Sequence, residues 1–224
     1  MDFTKITINL EDLNKEFDRY NPQERLGKVF EVFDSDRVLM TSSFGSTSVI
    51  LLHMISKVRP DHPIYFIDTG YVFPETKRYR DQLIDRLNLN VVDVGAKPNH
   101  HRFTAENLTW KYTSDLCCFI NKVGPTEKLK EGKEVWISGL LRYQNANREK
   151  LNIFEQRSDI IKFHPIIDMT EEEVQTYCLI YELPLNPLVY QGYGSIGCTH
   201  CTAKGEGREG RWLNSSKTEC GLHT

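Results

Sequence analysis

Six cysteines carry the first chemical information in the sequence: Cys117, Cys118, Cys178, Cys198, Cys201 and Cys220. Cys198 and Cys201 form a C-x-x-C, and Cys117 and Cys118 are adjacent. Alone, a C-x-x-C fits a redox pair or half of a metal site. Adjacent thiols are strained as a mutual disulfide and rare as two core residues. Together the four supply thiolates for zinc or for an iron–sulfur cluster. Zinc ribbons use two C-x-x-C knuckles, so an adjacent pair plus one C-x-x-C favours a cluster and leaves zinc open. Cys220, in Glu219-Cys220-Gly221-Leu222-His223, lies outside that set. A thiol on a chain tail is accessible and becomes a nucleophile once deprotonated, although an incidental cysteine leaves the same trace. Cys178 shares a helical face with Val174 and Tyr181 and reads as a buried structural residue. His164, before Pro165 in a strand, reads as structural too.

A second feature is Ser43-Phe44-Gly45-Ser46-Thr47-Ser48 at a strand-to-helix turn. Small residues there let the backbone approach a phosphate, and helix N-terminal amides favour the anion. A plain serine-rich helix cap has the same composition. The GxxxxGK[ST] pattern is absent, as are the lysine and acidic residue of many ATP-cleaving loops. Binding a nucleotide's phosphate or sulfate therefore fits better than hydrolysing ATP. Scattered cations follow: Lys122, Arg142, Arg148, Lys204, Arg208 and Arg211. Singly, each reads as a solvated charge. Arg142 falls just past a strand end, and Arg208 and Arg211 lie in a Gly-rich loop between the C-x-x-C and Cys220. Their guanidinium forks suit phosphate and sulfate.

The elements that must position these residues alternate. Residues 1–36 read as helical. Strand-length apolar runs follow at Arg37–Ser43, Pro63–Asp68, Asn90–Val94, Glu134–Ser138 and Ile160–Ile167. Helical patterns fall at Ser48–Val58, at Pro74–Leu87 and from Thr170, which opens a capping box with Glu173. Alternation of this kind predicts an α/β fold, a parallel sheet with helices on both faces. Ligands bind beyond the carboxyl ends of such strands, where Ser42–Ser48, Asp68–Tyr71 and Gly139–Arg142 fall. Beyond Pro184 the chain reads as loops and short helices.

Length and composition agree. The 224 residues suggest one domain, read here as 1–224 with a mobile tail from about 213. Apolar residues at 39% and charged residues at 26% exclude disorder. A formal net charge of −3 argues against a general nucleic-acid binder but not against a small anion held by local Arg and Lys. No apolar stretch approaches the roughly 20 residues of a membrane span. The N-terminus has no signal-peptide pattern, so a cytoplasmic location is expected. In that compartment six cysteines do not suggest a disulfide framework.

The chain resembles the assimilatory sulfonucleotide reductases, which reduce adenylyl sulfate or its 3′-phosphorylated form to sulfite. Matching pieces run from about Arg37 to His223. They are the Ser43–Ser48 loop, Phe66-Ile67-Asp68-Thr69-Gly70, Cys117-Cys118…Lys122 and Trp136-Ile137-Ser138-Gly139…Arg142…Gln144. The most specific follow: Gly192-Tyr193…Gly197-Cys198…Cys201-Thr202, Arg208-Glu209-Gly210-Arg211-Trp212, and Lys217…Glu219-Cys220-Gly221-Leu222-His223.

The resemblance implies a Rossmann-like sheet of the adenine-nucleotide α-hydrolase type. It implies Cys117, Cys118, Cys198 and Cys201 as ligands of a [4Fe-4S] cluster, and Cys220 as the nucleophile. It implies substrate contacts from Ser43, Gly45, Ser46, Ser48, Asp68, Thr69, Gly70, Lys122, Arg142, Arg208 and Arg211. Thioredoxin or glutaredoxin is the expected electron donor. Cysteines and tail together are similar to the branch preferring adenylyl sulfate. A phosphoadenylyl-sulfate or dual-substrate enzyme is the alternative. Two further alternatives are a zinc-bound, non-catalytic nucleotide-binding protein and an enzyme of the ATP pyrophosphatase type; the oligomeric state, including a homo-oligomer, stays open. Asn121 stands where the family commonly has a basic residue, Leu141 where it often has an arginine, and the loop between Cys201 and Arg208 is short.

Overall fold

The computed structural model describes residues 9–213, 217, 219, 221 and 222, and one six-stranded sheet organises them. Its strands are β1 (Val38–Ser42), β2 (Ile64–Asp68), β3 (Val91–Gly95), β4 (Val135–Ile137), β5 (Phe154–Arg157) and β6 (Ile160–Phe163). They lie in the order β3-β2-β1-β4-β6-β5. Every pair is parallel except β5 with β6. The chain winds outward from β1 to β3, then returns to place β4 on the other side of β1. That reversal opens a crevice above the carboxyl ends of β1 and β4.

The helices are α1 (Leu10–Phe17), α2 (Pro22–Val32), α3 (Ser48–Val58), α4 (Pro74–Leu87), α5 (Pro98–Glu106), α6 (Thr109–Tyr112), α7 (Ser114–Cys118), α8 (Gly124–Leu129), α9 (Ala146–Glu149) and α10 (Glu171–Ile180). A π turn over Phe119–Val123 joins α7 to α8. α2 starts at a capping box, in which Asn21 accepts from the Glu24 amide and Glu24 from the Asn21 amide, followed by Pro22. α3 is apolar on all sides, and Val49 to Ile55 are all buried. It is therefore an interior helix, enclosed by α2, α4 and α10. Cys178 faces this core from α10, as its sequence context suggested.

The α/β reading holds, with three differences. Strand β5 makes an antiparallel edge hairpin with β6, and Phe154 there stacks on Phe163 (4.6 Å) and meets Phe17 edge-on (4.8 Å). β6 stops at Phe163 rather than Ile167, because the His164 amide turns to the Ile153 carbonyl (2.7 Å) and Pro165 has no amide to pair. Helices α5 to α8 lacked a sequence signal, since their apolar positions are few. Among the described residues, no helix is long and apolar enough to cross a membrane.

The β1–α3 turn depends on a strained residue. Phe44 has φ 48°, a left-handed conformation that costs a non-glycine residue about 1–3 kcal/mol. Full burial against Phe66 (5.6 Å between centroids) offsets that cost. Asn186, fully buried, donates to the Phe44 carbonyl (3.0 Å) and Thr76 Oγ1 (3.1 Å) and accepts from the Leu188 amide (3.1 Å). Asn186→Ala should cost about 2–3 kcal/mol in urea unfolding, because it leaves buried groups unpaired. A loss below about 0.5 kcal/mol would show that the turn holds itself.

Two buried histidines give stability a pH dependence. Burial, reinforced by Lys133, pushes His62 down to about 4; burial, reinforced by Lys162, pushes His164 down to about 3. Both are neutral in the folded chain and take a proton when unfolded below about pH 6.5. The unfolded state binds more protons there, so stability falls as pH drops from about 6.5 towards 4. Urea titrations at about pH 7 and pH 5 should show this decline, and His62→Leu should make it shallower. Equal slopes in parent and variant would remove His62 from the account.

Candidate active site

A cavity of about 180 Å³ occupies the crevice above β1 and β4. Ser43, Gly45, Ser46 and Ser48 line it from the β1–α3 turn, Ser138 and Gly139 from the end of β4, and Thr69 from the end of β2. The Gly45 amide donates to Ser48 Oγ (2.9 Å), which folds the turn back onto the start of α3. Asp68 and Gly70 are not among the lining residues. Asp68 accepts from Lys77 Nζ (2.5 Å) and the Gly70 amide (2.9 Å). Gly70 has φ +77°, and a Cβ there would stand 2.3 Å from the His101 ring. Both residues shape the turn that presents Thr69.

Four cations enter the same cavity: Lys122 from the π turn, Arg148 from α9, and Arg208 and Arg211 from the Gly-rich loop. Arg142 is elsewhere: its Nε donates to the Leu151 carbonyl (3.0 Å), and it does not line the cavity. Arg148 takes the wall position expected of it. The Asn145 side chain caps α9 on the Arg148 amide (2.9 Å), and Gln144 accepts from the Arg148 guanidinium. In the sequence Arg148 is one of several cations; its burial, 6% exposed, is what distinguishes it.

Opposite these cations stands one carboxylate, Glu219, also 6% exposed. Arg148 grips it with Nε (2.7 Å) and a terminal nitrogen (2.8 Å), Arg208 reaches it at 3.1 Å, and Asn145 donates to it at 2.8 Å. Burial alone would raise the Glu219 carboxyl, but Arg148, with Asn145 and Arg208, outweighs burial and holds it below the usual range. Glu219 immediately precedes Cys220, and Cys220 itself lies outside the described residues. Of the expected tail, Lys217, Glu219, Gly221 and Leu222 are described, and all are at least half-buried.

The four other expected ligands share a smaller, adjoining cavity. Cys117, Cys118, Cys198 and Cys201 all line it, beside Trp110, His200 and Trp212. Cys198 is fixed by a β-bridge to Val72 and lies 3.2 Å from Thr69 Oγ1. His200 stacks flat on Trp110 (4.0 Å, 10°), which closes one side. Burial raises the Cys117 thiol, helped by Cys118 and Cys198. Burial also pushes Cys201 up to about 11, with Cys198, Cys118 and Cys117 adding and Arg211 opposing. The thiols thus lie within electrostatic reach of one another. Among the described residues, no three His, Cys, Asp or Glu side chains gather closely enough to hold a single metal ion. Thr69, Lys122, Cys198, Arg211 and Trp212 line both cavities, so the cationic wall and the thiol wall are one structure.

Residues 37–204 match the Phosphoadenosine phosphosulfate reductase domain family. The chain belongs to the sulfonucleotide reductase family. It is 34% identical to an adenosine 5′-phosphosulfate reductase of Salinibacter ruber, across 97% of this chain and 90% of that protein. It is 36% identical to a phosphoadenosine 5′-phosphosulfate reductase of Aliivibrio fischeri, across 100% and 92%. Among solved structures it resembles phosphoadenylyl-sulfate reductase from Candida auris in complex with phosphate. That match has a TM-score of 0.76 and 27% identity, and covers 88% of this chain and 99% of that one. The family is one of oxidoreductases, and the doubly wound sheet is its fold.

Two of the three departures from the reductase family have local explanations. Leu141 is fully buried in the main core, facing away from the cavity. Asn121 is 1% exposed and donates to Thr104 Oγ1 (3.0 Å) and the Cys117 carbonyl (3.1 Å), with Cys117 Sγ 3.7 Å away. It steadies the thiol pair without adding charge.

Among the glycines lining this reductase's larger cavity, Gly197 has the tightest fit. A Cβ there would stand 2.4 Å from the Arg211 guanidinium. The clash is with the end of a flexible side chain, so Gly197→Ala should leave the fold within about 1 kcal/mol of the parent. It should displace Arg211 and weaken binding of adenylyl sulfate about tenfold, the loss of one charge-assisted contact, measured by calorimetry in a Cys220→Ser background. Unchanged affinity would show that Arg211 does not meet the anion.

Proposed function

We propose that the protein reduces adenylyl sulfate to sulfite and AMP, with Cys220 as nucleophile and a thioredoxin or glutaredoxin as electron donor. The observation that carries this reading is the shared wall. A cavity at the nucleotide-binding crevice, lined by Lys122, Arg148, Arg208 and Arg211, adjoins a cavity lined by four thiols. Four cations against one carboxylate, Glu219, suit a ligand with several negative charges. The β1–α3 turn suits its phosphate.

The chemistry requires a thiolate to approach a sulfate that is already negative. Lys122, Arg208 and Arg211 would lower that barrier by neutralising the sulfate oxygens. The Cys220 thiolate forms an S–S bond to the sulfate sulfur. The S–O bond to phosphate breaks, and AMP leaves with its electron pair. A thiolate of the donor then attacks Cys220 Sγ. The S–SO₃ bond breaks and sulfite leaves with the electron pair. The donor's second thiol resolves the mixed disulfide, returning Cys220 as thiol and leaving the donor oxidised by two electrons.

The donor set supports a cluster. Burial disfavours the thiolates of Cys117 and Cys201, and a multivalent cation would reverse that preference. One zinc ion, with Zn–S near 2.3 Å, would draw the sulfurs to about 3.8 Å from one another. A [4Fe-4S] cluster takes one thiolate per iron and spreads them further. It would be held by Cys117, Cys118, Cys198 and Cys201, and would supply a fixed charge beside Lys122 and a brace between α7 and the C-x-x-C. The 36% identity to a phosphoadenosine 5′-phosphosulfate reductase over the whole chain favours one second reading, use of the 3′-phosphorylated substrate.

Anaerobically purified protein should be brown. With thioredoxin it should release sulfite from adenylyl sulfate faster than from its 3′-phospho form. Equal rates would establish the second reading. A colourless protein that releases no sulfite from either would defeat both. In Cys220→Ser, AMP binding and colour should persist while the S-sulfonate mass adduct disappears; an adduct of unchanged yield would move the nucleophile elsewhere.

A further inference from the structure

Resting on Cys220 as the nucleophile, we propose that Lys162 is a positioning residue. It anchors the chain beyond Cys220 as Arg148 anchors the chain before it. Lys162 lies on β6, 5% exposed, with its ammonium over the Trp136 ring, 2.8 Å from the centroid. Nζ donates to the Leu222 carbonyl at 3.1 Å. An ammonium so far from water is stable only where acceptors meet it. A tail carbonyl delivered there is held by a charge-assisted bond.

Two further contacts repeat the message. The Leu222 side chain lies against the small core of Leu39, Trp136 and Ile160, beside Leu129. Gly221 passes so close to the π turn that a Cβ would stand 2.8 Å from Val123 Cγ2. Upstream, Glu219 is clamped by Arg148 and Arg208. The anchors of Glu219 and Leu222, on either side of Cys220 in the sequence, thus lie on separate strands' extensions, α9 after β4 and β6 itself. One anchor would leave a pivot; two restrict the reacting thiol's search, which is how positioning accelerates attack.

Lys162 does not act through substrate contact. It lines a second cavity of about 130 Å³, with Gly221 and Leu222; Leu222 also lines the substrate cavity, whereas Lys162 does not. Loss of Lys162 should therefore slow the nucleophile and spare nucleotide affinity.

The test uses full-length, anaerobically purified protein and three variants: Lys162→Met, Lys162→Arg and Leu222→Ala. Iodoacetamide labelling of Cys220, mapped by mass spectrometry without substrate, reads the docking. Single-turnover S-sulfonate formation with adenylyl sulfate reads the chemistry, and calorimetry with AMP reads the nucleotide site. In Lys162→Met, labelling should accelerate about tenfold and S-sulfonate formation slow about 10- to 100-fold, with AMP affinity unchanged within about twofold. Lys162→Arg should recover most of the parent behaviour. Leu222→Ala alters the tail and not the sheet, so it should shift both rates in the same direction even if Lys162→Met folds poorly. Rates within about twofold of parent in both Lys162→Met and Leu222→Ala would overturn the positioning role alone. A parent enzyme that forms no adduct at Cys220 would overturn the nucleophile assignment, and the positioning role with it.

Discussion

The ion pair between Arg148 and Glu219 is the contact on which the site's organisation turns. Both side chains are almost wholly removed from water. Buried charges are costly, and the cost is recovered only with good geometry and further hydrogen bonds. Here the guanidinium takes both carboxylate oxygens, and Asn145 and Arg208 satisfy the carboxylate from other directions. Removing one partner of such a pair typically costs about 3–5 kcal/mol, because the other is left charged and alone. The pair joins the segment after β4 to a residue 71 positions later, so the end of the chain is held at the crevice the sheet opens. It also offsets only part of the cavity's positive charge.

The thiol cavity obeys the opposite electrostatic logic. Burial disfavours the thiolate, and each neighbouring thiol makes ionising the next one harder. Arg211 is the exception, since it favours the Cys201 thiolate while also lining the anion cavity. Lys122 is shared in the same way. A change of charge at the thiols would therefore reach the larger cavity through two side chains common to both walls. This gives a physical reason for building the two cavities against a common wall.

Much of the fold was legible because its signals are local. β1 and β2 are apolar runs of strand length, and α3 and α4 have helical spacing and start at the ends of those strands. The turn at Ser43–Ser48 and the four cysteines were visible as residue types, and they do line the two cavities. What sequence could not supply was long-range partnership. Arg148 looked like any surface cation until its burial against Glu219 was seen. Arg142 looked well placed beyond β4, but a backbone carbonyl at Leu151 claims its Nε. Asp68 and Gly70 read as ligand contacts, and instead they brace the turn that carries Thr69. The β5–β6 hairpin was missed because Phe154 finds its partners in Phe17 and Phe163, one of them on α1. Helices α5 to α8 were missed because they cover the thiols rather than the main core, and so lack an apolar stripe.

The positions where this chain departs from its family bear on substrate choice. Leu141 fills core space that an arginine could not share, and Arg142 is turned to Leu151. The arginine duty at that wall passes to Arg148, which meets Glu219 and not open solvent. Asn121 is neutral and buried, and its amide nitrogen is turned to Thr104 and Cys117. None of the three adds charge to the crevice. A 3′-phosphate would bring additional negative charge, and only groups that reach the crevice can reward or reject it. The charge of the crevice therefore comes from the four cations that line it, Lys122, Arg148, Arg208 and Arg211.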